Sequence, residues 1–137
     1  MAGPLTIEIC SPAFKPVSHD AESVVIPGAA GIFTVLPGHT SVLTTLTSGV
    51  VIVEDNDGNK TFYAVHGGFA EVLNNAVRIL ADEIEPADTI DRHAAEAELH
   101  RAAEGMRKPG IYKDAATAEH ALIKARAQLQ AANHQDY

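Results

Sequence analysis

Apolar and polar positions alternate one by one over residues 5–10, where Leu5, Ile7 and Ile9 take turns with Thr6, Glu8 and Cys10. A period of two places every second side chain on one face, so this segment reads as a strand with one buried face, closed by Ser11 and Pro12. A short apolar run at 24–26 is stopped by Pro27 and Gly28. Two longer runs, 49–54 and 60–65, flank the turn formers of 55–59, where Asp57 and Gly58 suit the positive φ of a tight hairpin. Residues 69–73 and 76–81 are joined by Asn74 and Asn75, and Asn enters the left-handed region more readily than other non-glycine residues, so a second hairpin is expected. The strand pattern is expected to stop near Asp82.

Beyond residue 86 the period changes. Gly and Pro become rare, Ala becomes frequent, and 90–106 and 114–132 consist of strong helix formers. Gly105 and the R-K-P-G stretch at 107–110 read as a helix stop and a turn, so two antiparallel helices are expected over 88–135, joined near 107–112. Asp88 or Thr89 is expected to cap the first helix, with Asp91 in its electropositive first turn. Ala95, Leu99, Ala102 and Met106 on one helix, and Ala115, Ala118, Leu122, Ala125, Leu129 and Ala132 on the other, recur at spacings of three and four and form facing seams. Apolar burial is worth about 25 cal/mol per Å2, and alanine offers little area, so the hairpin is expected to be weakly attached and able to extend. The expected fold class is an all-β sandwich over 1–86 followed by a C-terminal α-helical hairpin over 87–137.

Composition narrows the function. With 46% hydrophobic and 20% charged residues in 137, the chain has the make-up of one globular domain with a small appendage. Its formal charge of −8 is concentrated in residues 1–86, which hold three basic and ten acidic side chains. Such a surface repels phosphate backbones and anionic bilayers, so no nucleic-acid partner is expected. Apolar runs such as 50–53 fall far short of the roughly 20 residues of a membrane span, so no direct membrane insertion is expected. The lone Cys10 forms no internal disulfide and suits a reducing compartment.

Candidate chemistry is sparse. No phosphate-cradling glycine motif is present, and the glycines at 28 and 31 read as a turn. Glu96, His100 and Glu104 share a helix face but read as solvated, so no metal site is expected. His39 and His66 lie beside glycines and read as turn residues that tie loops together. No serine or cysteine sits in a nucleophile elbow. Two functional readings of this material remain beside a binding or mechanical module: a free-standing β-barrel sensor whose hairpin closes on a small ligand, and a metal-dependent enzyme using His39 and His66.

The sequence G-I-F-T-V-L-P-G-H at 31–39, the Thr-containing apolar stretch 40–49 and G-G-F-A-E-V at 67–72 resemble, in order and spacing, the epsilon subunit of F-type ATP synthases. The resemblance spans essentially the whole chain. It implies a non-catalytic central-stalk subunit that links the gamma shaft to the ring of c subunits for proton-driven ATP synthesis. It also implies a helical hairpin that extends towards the catalytic alpha and beta subunits and restrains ATP hydrolysis. The setting implied is peripheral, on the cytoplasmic face of the bacterial plasma membrane.

Residue by residue, the resemblance places Gly31, Ile32 and Phe33 in the loop that meets the c ring, and Ser11 and Thr44 where the sandwich meets gamma. Pro37, Gly38, His39, Gly67 and Gly68 are implied to form structural turns. Nucleotide-binding relatives carry an I-D-x-x-R-A signature; here Ile90 and Asp91 are kept, Ala94 replaces the arginine, Arg101 remains, and Lys124 and Gln128 stand where further arginines occur. Guanidinium forks for phosphate are thus missing at positions 94, 124 and 128, with only a point charge at Lys124, so no cofactor is expected and ATP is expected to bind weakly or not at all. Arg107, Lys108, Lys113, Lys124 and Arg126 are implied to be the basic residues through which the hairpin inhibits.

Overall fold

The computed structural model describes residues 4–134; the ends of the two expected parts, 1–3 and 135–137, lie outside them. Eight strands come first among the described residues: β1 Leu5–Ser11, β2 Phe14–Ala21, β3 Ser23–Gly28, β4 Gly31–Val35, β5 Val42–Thr45, β6 Gly49–Glu54, β7 Lys60–Leu73 and β8 Ala76–Pro86. A 3-10 turn at Ala87–Thr89 leads into α1 Arg92–Arg107 and α2 Ala115–His134. The strands bond in the order β2-β1-β8-β7-β6-β3-β4, with β5 on β7, and β1 runs parallel to β8 while the other pairs are antiparallel.

The residues read as two segments, 60–65 and 69–73, are halves of one strand. Gly67 and Gly68 take φ of +69° and +112°, and the ladder between β7 and β8 skips the pair Gly67 and Asp82 without changing register. Burial changes phase in both strands at this point. Val65 is buried before it and Ala70 and Val72 after it on β7, while on β8 Val77, Ile79 and Ala81 give way to Ile84. Two matched phase slips turn the long hairpin over, so that Leu5, Ile7 and Ile9 of β1 share one core with Val24, Ile26, Val51 and Val53. This is the β-sandwich. Gly67 and Gly68 therefore lie within a strand and not in a turn: both hold positive φ, a Cβ at Gly68 would overlap the backbone of Leu80 and Ala81, and one at Gly67 would meet the Asp82 carboxylate.

Other expectations shift for local reasons. β2 has no counterpart in the alternation pattern, since F-K-P-V-S-H-D-A is polar at four of its eight positions and contains Pro16, as an outermost strand can be. Residues 31–33, expected as a loop, begin β4. β8 runs on to Pro86 because its far half still pairs with β7. Both hairpin turns stand, with Gly58 at φ +83° and Asn74 and Asn75 at +50° and +65°.

In the helical part, Asp91 and not Asp88 or Thr89 caps α1, accepting from the Ala94 N–H at 3.1 Å. Asp114 does the same for α2, accepting from Thr117 N–H at 2.8 Å. Gly105 does not stop α1 but lies inside it. Of the expected seams, Ala95, Ala102, Ala118, Ala125 and Ala132 are buried and Leu99, Leu122 and Leu129 half-buried, whereas Met106 and Ala115 are exposed. Arg92 donates to the Ala132 carbonyl at 2.7 Å, tying the start of α1 to the end of α2. A second stripe on α2, Ala127 and Ala131, is also buried; α2 packs on β6 and β7, where Ala131 joins Val50, Ala64 and Ala87. The hairpin is folded down on the sandwich.

Candidate functional site

Directly paired residues in a sheet point to the same side, so register maps the outer surface. One row across the sheet reads Thr45, Phe69, Leu80 and Cys10; the next reads Leu43, Glu71, Arg78 and Glu8. Leu43, Phe69, Leu73 and Leu80 are all exposed, Leu43 to 73%. An ion pair between Arg78 and Glu8 at 3.5 Å sits within this apolar face. Ser11 follows Cys10 at the end of β1, and Thr44 pairs with the buried Ala70, so its side chain turns to the core side at the sheet edge. The two residues expected at a gamma contact thus flank the face, and its centre, Phe69 and Leu80, was missed. The signal was there: 69–73 is apolar at both phases of the alternation.

A second apolar edge lies on β4. Ile32 pairs with Pro27, is 74% exposed, and sits just past the turn at residues 29–30, while Phe33 leans on the core. Leu36 to His39 closes as a type II turn, with His39 N–H donating to Leu36 O at 3.1 Å and Gly38 at φ +84° in third position. Gly38 N–H also donates to Asn75 Oδ1 at 2.8 Å, which fixes this turn to the β7–β8 hairpin. His39 Nδ1 bonds to the Thr40 carbonyl at 2.7 Å, the local tie expected of it.

His66 departs from expectation. It lies in β7, buried, with Nδ1 3.2 Å from Ser48 Oγ and Nε2 2.9 Å from Glu85 Oε2. Glu85 is held below the usual carboxylate range, first by that bond from His66, against the opposing effect of burial, and further by Gln128 and the charge of Lys124. Among the described residues no group of three His, Cys, Asp or Glu is placed to hold a metal ion.

Between α1, α2 and β8 runs an open groove of about 600 Å3 containing Ile90, Asp91, Ala94, Lys124 and Gln128. The structure thus brings together the residues of the nucleotide comparison, except Arg101. That guanidinium lies over the Tyr112 ring, 4.7 Å from its centroid, and points to the Ile111 carbonyl. In the groove, Asp91 is committed as a cap, Lys124 donates to Glu83 at 2.8 Å, and Gln128 donates to Glu85. Of the five basic residues, Arg107 and Lys108 both pair with Glu104, Lys124 with Glu83, and Lys113 and Arg126 are exposed. Among the described residues, no helix is long and apolar enough to cross a membrane.

The family model for the ATP synthase delta/epsilon chain, β-sandwich domain, matches residues 4–87. An ATP synthase epsilon chain from Solibacter usitatus is 38% identical over 133 residues, covering 97% of this chain and 98% of the relative. One from Desulfitobacterium hafniense is 37% identical over 135 residues, covering 98% and 100%. Among solved structures, a chain in the Euglena gracilis mitochondrial ATP synthase, OSCP/F1/c-ring in rotational state 1, superposes with a TM-score of 0.85 at 26% identity, covering 98% of this chain and 84% of that one. A chain of the Tetrahymena thermophila central stalk and c-ring shares the fold, with a TM-score of 0.54 at 13% identity. The relatives run through the helices as well as the strands, which sets aside the ligand-sensor and metal-enzyme readings: the chain belongs to the epsilon-chain family of F-type ATP synthases, and is a non-catalytic subunit of that complex.

Proposed function

We propose that this subunit joins the gamma shaft to the c ring during proton-driven ATP synthesis, and that its hairpin restrains ATP hydrolysis by approaching the alpha and beta subunits. The observation that carries the docking is the outer face built on Phe69 and Leu80. Four large apolar side chains gathered on a strongly acidic chain mark a surface made to be covered by protein. Gamma is the partner proposed for it, with Ser11 and Thr44 at its margins. Gly31, Ile32 and Phe33 at the head of β4 are proposed to meet the ring, through apolar contact where charge is absent. The place proposed is peripheral, on the cytoplasmic face of the bacterial plasma membrane.

Phe69→Asp and Leu80→Asp test the docking. Each places a charge at the centre of the face without touching the core, and each is expected to weaken binding to purified gamma by about 100-fold or more while the circular dichroism of the free chain is unchanged. Binding at the level of the unaltered chain would overturn the assignment of this face.

A further inference from the structure

Glu85 stands where the sandwich meets α2. Its Oε2 accepts from His66 Nε2 at 2.9 Å, and both of its oxygens accept from the Gln128 amide at 3.0 Å. An ionised carboxylate only accepts, so Nε2 carries hydrogen. The neutral ring then accepts the Ser48 hydroxyl proton at Nδ1, and the protonated ring donates to the same oxygen. In either state the ring stays aimed at Glu85. Beside this relay, Lys124 Nζ donates to Glu83 Oε2 at 2.8 Å.

The spacing is matched. Lys124 and Gln128 are four residues apart on a helix, about 6 Å along its axis. Glu83 and Glu85 are two residues apart on a strand, about 6.6 Å. Two acceptors on the strand therefore meet two donors on the helix in one docking pose, whereas the alanine stripe of Ala127 and Ala131 offers a smooth surface with little to fix position.

We propose that the relay Ser48, His66, Glu85 and Gln128, with Glu83 and Lys124 beside it, is a keyed latch that sets the register of α2 on the sheet and holds the hairpin closed with no ligand bound. The proposal rests on the reading that the hairpin moves. It assigns to Lys124 and Gln128 a partner inside the protein.

Hydrogen exchange of the purified full-length chain tests it. Gln128→Ala and Lys124→Ala should each speed exchange of α2 amides about tenfold while β6 to β8 stay protected, and the double variant should exceed either. Gln128→Glu, which sets a carboxylate against Glu85, should open α2 further still. Unchanged α2 exchange in Gln128→Ala and Gln128→Glu, or equal loosening of the strands, would overturn the latch. ATP hydrolysis by the assembled complex separates the two readings: if α2 loosens and hydrolysis does not respond, the latch stands and the restraint by the hairpin falls.

Discussion

Tyr112 lays its ring in the notch that Gly105 leaves on α1: a side chain on Gly105 would overlap the ring and crowd Ala118 Cβ at 3.3 Å. The Tyr112 hydroxyl donates to Glu98, and Arg101 covers the other part of the ring, so the loop between the helices is folded back onto α1. Gly105→Ala is therefore expected to destabilise the hairpin, although alanine in an open helix is worth about 1 kcal/mol over glycine. In a Tyr112→Ala background the sign should reverse. Thermal unfolding of the four variants in the cycle checks this.

Gly68 carries the bend of the sandwich. A Cβ there would overlap the Leu80 carbonyl and the Ala81 backbone, and φ is +112°. Gly68→Ala should cost about 3 kcal/mol or more, seen as a lower urea midpoint, while Gly58→Ala, at a loop with open space around it, should cost about 1 kcal/mol.

The Glu85 carboxyl is depressed from its ordinary value of 4.5, chiefly by the bond from His66. A depressed carboxylate contributes stability that is present above its unfolded pKa and lost as pH falls through its folded pKa. Docking of α2, which Glu85 joins through Gln128 while His66 holds the carboxylate, should therefore be steady near neutrality and weaken progressively as pH falls below about 4.5. Energy transfer between labels at Ile123→Cys and Lys60→Cys, in a Cys10→Ser background, should fall reversibly on acidification. Glu85→Gln should lower the transfer at neutral pH and flatten its pH profile.

ATP is expected to bind the isolated chain more weakly than about millimolar or undetectably, because Ala94 and Gln128 offer no charge to phosphate and Lys124 is engaged by Glu83. Calorimetric titration measures it; micromolar affinity would mean that other residues had taken over the role.

Deleting the chain after Pro86 should leave assembly and ATP synthesis largely intact and raise ATP hydrolysis. Replacing Arg107, Lys108, Lys113, Lys124 and Arg126 by Ala should act in the same direction, less strongly, and less still as ionic strength rises. Lys124→Ala alone adds a distinguishing sign: by freeing α2 from Glu83 it should favour the extended hairpin and so lower hydrolysis.

The strands with one buried face were legible because their alternation is a direct print of burial: Leu5, Ile7 and Ile9 are fully buried. The long β7 was not, because its phase slips at Gly67 and Gly68, and a slip reads as a break. Residues 63–66 are buried in succession, since the core covers one face and α2 the other, and this double cover hid the strand's role as the floor of the hairpin. Family resemblance pointed to the flanks of the exposed apolar face, Ser11 and Thr44, but not to Phe69 and Leu80, whose exposure depends on which way the slipped strand turns. The latch was out of reach for a simpler reason. Its members, Ser48, His66, Glu85 and Gln128, are far apart in sequence and become neighbours only through the bend.

The parallel pairing of β1 with β8 sets an order of events for the growing chain. β1 can pair with β2 at once, but Thr6 must wait for Ala76 and Cys10 for Leu80 before its other edge is closed, a non-local pairing of the kind that slows folding. Once β8 is made, every strand of the sandwich is present. The helices come last, and α2 closes over Val50 and Ala64 on a sheet whose strands have all been made.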